Sequence, residues 1–176
     1  MSCKEMSTYR QQRKQISILN ITEKMEMTTK EIEHAAYKTF WKNGVYMVYE
    51  CACPKTKKRQ TRHRERVDLL CFELPNTWKC YEIKNSVNDF YSSASLSFWG
   101  DYNYYILNAD IYEKVKDDIP KGIGVWLVYK DKSMACVKKS KKQERKFTHE
   151  QLLFAMTQAL SREYKKYRKI LEKKDK

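Results

Sequence analysis

Asp68 is followed, fourteen residues later, by Glu82-Ile83-Lys84, with Leu74-Pro75-Asn76-Thr77 midway between them. Proline and asparagine are turn formers, so the flanking segments read as the two strands of a hairpin. Alternate side chains of a strand share a face, which turns Glu82 and Lys84 the same way. With the turn centred between Pro75 and Asn76, Asp68 pairs with residue 82 or 84 across the ladder. Its Cβ then lies roughly 5 Å from that of Glu82. Two carboxylates so placed repel each other, and a divalent cation between them removes the cost. Oxygen ligands of this sort suit Mg²⁺ or Mn²⁺, which keep several waters and take phosphate oxygens as further ligands. Such an ion polarises a phosphate and acidifies a bound water. Lys84 would stabilise the developing charge or position the attacking water. This is the grouping a metal-dependent phosphodiesterase needs.

The competing account is a hairpin with solvent-exposed charges, and an E-x-K tripeptide alone does not decide between them. The neighbours do more. Val67, Leu69 and Leu70 surround the aspartate, and Cys80, Tyr81 and Ile83 surround the glutamate. Charges inside strands this apolar are costly unless paired or metal-bound.

The elements that must position these residues can be read along the chain. Residues 1–24 are polar apart from Ile16, Ile18, Leu19 and Ile21, and read as a loosely attached segment. Residues 25–176 read as one domain. Thr28-x-x-Glu31 is a capping box, and the helix behind it carries Ile32, Ala35, Ala36, Thr39 and Phe40 on one face before Asn43-Gly44 stops it. Val45 to Cys53, Arg66 to Phe72, Trp78 to Lys84, Tyr102 to Leu107, Ile123 to Tyr129 and Met134 to Val137 read as strands. Ser86-x-x-Asp89 is a second capping box, opening a helix expected to run to about Gly100. A short helix spans Asp110 to about Asp118. Thr148-x-x-Gln151 opens a long C-terminal helix with Leu152, Met156, Ala159, Leu160 and Tyr167 on its apolar side. The expected fold is α/β, a mixed central sheet flanked by helices.

The 176 residues carry 36 lysines and arginines against 22 acids, a formal charge of +14. That excess points to a polyanionic partner, above all nucleic acid. It is clustered: Lys55, Lys57, Lys58, Arg59, Arg62, Arg64 and Arg66 precede the Asp68 strand. A second cluster holds Lys138, Lys139, Lys141, Lys142, Arg145 and Lys146, and the C-terminal helix adds Lys165, Lys166, Arg168 and Lys169. Such residues supply salt-sensitive affinity for a phosphate backbone without reading its sequence. The aromatic content of 13% and hydrophobic content of 41% argue against disorder. No stretch has the roughly 20 apolar residues of a membrane span, and the N-terminus lacks a signal peptide's apolar core, so a cytoplasmic protein with its six cysteines as thiols is expected. Trp41, Trp78, Trp99 and Trp126 are expected in the core, and His34, His63 and His149 at the surface.

Arg66-Val67-Asp68 followed by Tyr81-Glu82-Ile83-Lys84-Asn85-Ser86-x-x-Asp89-Phe90 resembles the PD-(D/E)xK nuclease superfamily. More closely it is similar to the MmcB-like DNA repair proteins and their phage and mobile-element relatives, across residues 28–165. Phe98 to Tyr105, Tyr112-Glu113-Lys114-Val115 and Ile119-Pro120-x-x-Ile123-Gly124-Val125 extend the likeness. Val67 stands where the superfamily has its leading proline. The resemblance implies a restriction-endonuclease-like core, and a Mg²⁺- or Mn²⁺-dependent DNA endonuclease of a bacterial or phage-infected cell. It also implies a further acidic residue from the first helix or the strand after it. Glu31 is engaged in the capping box, which leaves Glu50, favoured, and then Glu33, beside Asp68, Glu82 and Lys84. Branched-DNA nucleases of this superfamily are often dimers, so a homodimer is a further expectation. Two other readings stand beside it: a DNA-binding module of the same fold that no longer cuts, and a basic protein that docks on an acidic partner protein.

Overall fold

The structure, a computed structural model, describes residues 27–54, 65–92 and 97–174. The segment 1–24 and most of the basic loop (Lys55, Lys57, Lys58, Arg59, Arg62 and Arg64) lie outside the described residues. Six strands form one sheet in chain order: β1 (Val45–Ala52), β2 (Arg66–Glu73), β3 (Thr77–Ile83), β4 (Tyr102–Asn108), β5 (Gly124–Val128) and β6 (Met134–Lys138). β1, β2 and β3 run antiparallel, β3–β4 and β4–β5 are parallel, and β6 returns antiparallel to β5. Among the described residues four α-helices flank the sheet: α1 (Thr29–Phe40), α2 (Val87–Phe90), α3 (Ala109–Val115) and α4 (His149–Lys174). The two parallel pairs need crossovers, and α2 and α3 lie in them. The expected α/β class and mixed sheet are what the chain forms.

Local chemistry accounts for the helix ends. Thr28 Oγ1 accepts from the Glu31 amide at 3.3 Å and Glu31 Oε2 accepts from the Thr28 amide at 3.0 Å, both halves of the capping box. Thr148 and Gln151 make the same reciprocal pair ahead of α4. Ser86 completes only half of one. Its hydroxyl accepts from the Asp89 amide, but the Asp89 carboxylate accepts from Asn85 N instead of Ser86 N.

Each sheet face has its own cover. Ile32, Ala35, Ala36 and Phe40 of α1 pack on Leu69, Tyr81, Ile83 and Ile106. The other face carries two separate cores. Leu152, Ala155, Met156 and Ala159 of α4 cover Val48, Leu70, Trp78 and Cys80 of the β1–β3 half. Ile111 and Val115 of α3, with Phe90 of α2, cover Tyr105, Leu107, Val125 and Leu127 of the β4–β5 half. Cys51, Cys53, Cys71 and Cys80 are buried thiols.

Four expectations are corrected. The helix after Ser86 stops at Phe90 rather than near Gly100; Ser92 Oγ donates to the Asp89 carbonyl, a local bond that competes with helical pairing. Leu160 and Tyr167 are exposed: both continue the side of α4 that carries Leu152 and Met156, but burial of the helix ends at Ala159. Trp41 lies outside the core, 55% exposed past the end of α1 and against the Tyr37 ring. His149 is not a free surface residue, since its Nδ1 accepts from Trp78 Nε1 at 3.1 Å.

Gly100 closes the entry to β4. A Cβ there would lie 2.6 Å from the Trp78 carbonyl oxygen, backbone that cannot yield easily. Asn103 clasps it, accepting from Gly100 N at 3.0 Å and donating to Gly100 O at 3.1 Å, while Asp101 Oδ2 takes the Trp78 amide at 2.8 Å. Gly100→Ala should therefore cost about 1–3 kcal/mol through overpacking, read as a lower urea midpoint. An unchanged midpoint would contradict this packing.

Candidate active site

The turn joining β2 to β3 decides which acidic residue faces which. Glu73 pairs with Thr77 and Leu69 with Tyr81, so the turn is centred on Pro75, half a residue earlier than the sequence suggested. Carried one step past Leu69–Tyr81, this register sets Asp68 against Glu82 and resolves the choice between 82 and 84. At that step the backbone pairing gives way to a side chain. Asp68 Oδ2 accepts from the Ile83 amide at 2.7 Å.

The same row continues into β1. The pairs Tyr49–Leu69 and Cys51–Val67 bracket Glu50 and Asp68, so Glu50 faces Asp68 from the other side. Glu50 has φ +52°, a left-handed conformation unusual for a residue with a side chain. Alternation fails at this point: Tyr49 and Leu69 belong to the α1 side, whereas Cys51 and Val67, two residues on, belong to the α4 side. Strain of this kind collects at functional sites.

Glu82 and Lys84 lie on the face carrying two cores, and at the seam between them. Glu82 alternates with Tyr81 and Ile83, which face α1, and pairs in register with Tyr105 of β4. The buried polar residues among those described are Glu82, Lys84, Ser97, Asp101 and Asn103, and all belong to strands or connections bordering this seam. Glu82 Oε1 accepts from Ser97 N at 3.2 Å, and Ser97 Oγ donates to the Arg66 carbonyl at 2.8 Å. Ser97 thus ties the glutamate to the start of β2. Lys84, 5% exposed, has Asp89 Oδ1 as its partner at 3.5 Å.

Burial sets the charges. It raises Glu82 to about 8, with the Asp68 charge as the next cause, partly offset by the Ser97 amide and Lys84. It also raises Asp68 to about 6, opposed by the Ile83 amide and reinforced by the Glu50 charge. Glu33 is raised by burial and then by Glu50. Glu50 therefore bears on both Asp68 and Glu33. It is nonetheless turned outward, 52% exposed at its side chain, and paired with Arg66 at 3.5 Å. The structure brings Asp68, Glu82 and Lys84 together. It leaves Glu50 at the rim and Glu33 behind it on α1, where the Glu33 carbonyl accepts from Tyr49 Oη at 2.6 Å.

The donor set suits a hard cation that keeps waters. Among the described residues no three His, Cys, Asp or Glu side chains converge on one point, so Asp68 and Glu82 would be two carboxylate ligands of an ion completed by water and phosphate oxygens, as Mg²⁺ allows. Asn85 Oδ1, next to Lys84, is buried without a donor among the described residues, an acceptor that a bound water could satisfy.

Several contributors were not legible in the sequence. Ser97 sits in a serine-rich run with nothing to mark it. Asp89, read as a cap, also holds Lys84. Arg162 donates to the Glu50 carbonyl at 3.0 Å and to the Tyr49 carbonyl at 3.4 Å, pinning the strained strand from α4. Arg162 lies three residues beyond Ala159, at the border of the buried side of α4, and its cationic head gave no sign of that position. Lys141 and Lys142 are exposed but lie elsewhere: Gln143 N bonds to the carbonyl of Asp101, whose side chain holds Trp78. Trp78 is four residues up β3 from Glu82, roughly 13 Å at the rise of a strand.

No protein-family model matches the chain, and no curated protein does. A solved structure does: the SPO1766 protein of unknown function from Silicibacter pomeroyi, with a TM-score of 0.51 and 16% identity over 75% of this chain and 82% of that one. At that identity the likeness is one of fold. No helix among the described residues is long and apolar enough to cross a membrane.

A raised carboxylate makes the metal-free fold weaker as pH rises, because the native state holds its proton longer than the unfolded chain does. For Glu82 the loss begins near the ordinary glutamate value of 4.5 and is complete above about 8. Glu82→Gln, melted in chelator, should be more stable than the wild type above that range by on the order of 5 kcal/mol, and the two should converge under acid. Equal melting temperatures at every pH would rule out a buried, uncompensated Glu82.

Proposed function

We propose that this protein is a Mg²⁺- or Mn²⁺-dependent DNA endonuclease with a restriction-endonuclease-like core, acting on DNA backbone or structure rather than sequence. The observation that carries the reading is the placement of a half-buried carboxylate, Asp68, opposite a buried one, Glu82, on the adjacent strand, with a buried lysine two residues beyond the glutamate. No packing need explains these charges at the seam, and an apolar pair would be the cheaper filling.

Asp68 and Glu82 would hold the ion, which supplies phosphate polarisation and a more acidic bound water. Their anionic forms, disfavoured by burial, become favourable against a cation. The Ile83 and Ser97 amides each hold one carboxylate oxygen and aim the other. Lys84 offers its ammonium to the charge that develops on the phosphoryl oxygens, and Asp89 fixes where that ammonium sits. Glu50 at the rim would orient water or complete the ligand set by turning from Arg66. The net charge of +14 supports a polyanionic substrate.

One observation favours a second reading, a DNA-binding module of the same fold without hydrolysis: among the described residues no third carboxylate joins Asp68 and Glu82. Cleavage of duplex, single-stranded and branched DNA with Mn²⁺ separates the two. Glu82→Gln should abolish cleavage with DNA affinity kept, and Lys84→Ala should lower kcat about 10²–10³-fold. A wild type that binds all three DNAs and cuts none excludes the nuclease.

A further inference from the structure

The site has an unassigned neighbour on α4. An open groove of about 700 Å³ runs along the helix, lined by Phe154, Gln158, Arg162, Lys165, Lys166 and Lys169 among others. Residues 154, 158, 162, 165 and 169 recur at three and four, one continuous stripe of the helix. The stripe is distinct from the buried one of Leu152, Ala155, Met156 and Ala159.

Two facts make it more than a solvated charged face. First, its charge is partly unspent. Glu163 pairs with Arg162 at 3.1 Å and with Lys166 at 2.9 Å, but Lys165 and Lys169 have no carboxylate partner among the described residues, and no acid lines the groove. An aromatic ring, Phe154, stands 65% exposed at one end. Second, it is joined to the site. Arg162 donates to the carbonyls of Tyr49 and Glu50, and Glu50 faces Asp68 across the β1–β2 pairing, one strand spacing or about 5 Å away.

We propose that this groove is a track for one phosphodiester strand of nucleic acid, which it leads to the Asp68–Glu82 centre; the destination, though not the binding, rests on the reading of that centre as a phosphodiesterase. Lys165 and Lys169, about 6 Å apart along the axis, contact successive backbone phosphates. Phe154 offers a face on which a base stacks, as on single-strand platforms that combine cations with exposed rings. Recognition is therefore sequence-independent and salt-sensitive.

The test is binding of the full chain to a fluorescein-labelled oligothymidylate, and to a labelled duplex, by anisotropy in chelator. Salt runs from about 0.05 to 0.2 M. Lys165→Ala with Lys169→Ala should make the slope of log K against log salt shallower by about 1.4 for the single strand, two contacts at about 0.7 each. Affinity at the lowest salt should fall about tenfold or more. The double change Lys114→Ala with Lys121→Ala removes equal charge away from α4 and should alter neither. The proposal is overturned if the α4 variant binds as the wild type does, or if both variants weaken alike. It is also overturned if the wild type ignores both DNAs yet sediments with vesicles of anionic lipid. A shallower slope in a protein that never cleaves DNA supports the groove and removes the hydrolytic reading. Cleavage with an unchanged slope removes the groove and keeps that reading.

Discussion

Sliding β3 by one residue along β2 would send every side chain of β3 to the opposite face. Glu82 would enter the α1 core beside Phe40, and Tyr81 would enter the seam. What forbids the slip is apolar: Tyr81 and Ile83 pack under α1 while Trp78 and Cys80 pack under α4. The three-residue turn centred on Pro75 agrees with that register. A hydrophobic constraint thus places two carboxylates that electrostatics alone would separate. The rest of the site follows from it, from the Ile83 amide reaching Asp68 to the Ser97 amide reaching Glu82.

Why such charges are tolerated is answered by the seam. The face opposite α1 is covered by two cores, one under α4 and one under α2 and α3, and Asp101, Asn103 and Ser97 line the gap with paired polar groups. Buried polar groups must be hydrogen-bonded, and these three are. Glu82 and Asp68 are bonded too, yet each remains raised by burial. The site is therefore held in place by the fold and left electrostatically incomplete by it. A cation between them, as proposed, would offset that cost.

Much of this could be read from residue order. Capping boxes at Thr28 and Thr148, period-two apolar runs and a Pro-Asn turn located most elements, because each rests on local chemistry. The Asp68–Glu82–Lys84 grouping was legible for the same reason, being a consequence of one hairpin. The missing parts are those set by distant contacts. Ser97 matters because a chain crossing from α2 to β4 happens to pass Glu82. Leu160 and Tyr167 fit a helical stripe but extend beyond what the sheet can cover. The left-handed Glu50 has no sequence signature, since glycine or asparagine is the usual mark of that conformation, and Arg162 pins it from more than a hundred residues away.

Asp68 and Glu82 are proposed to hold a divalent cation together. A crystal soaked in Mn²⁺, with data collected for the anomalous signal of manganese, tests it without reference to any substrate. One anomalous peak is expected within coordination distance of both carboxylates, absent from a Glu82→Gln crystal treated identically. A fully soaked crystal with no peak there, or a peak that persists in the variant, would contradict it.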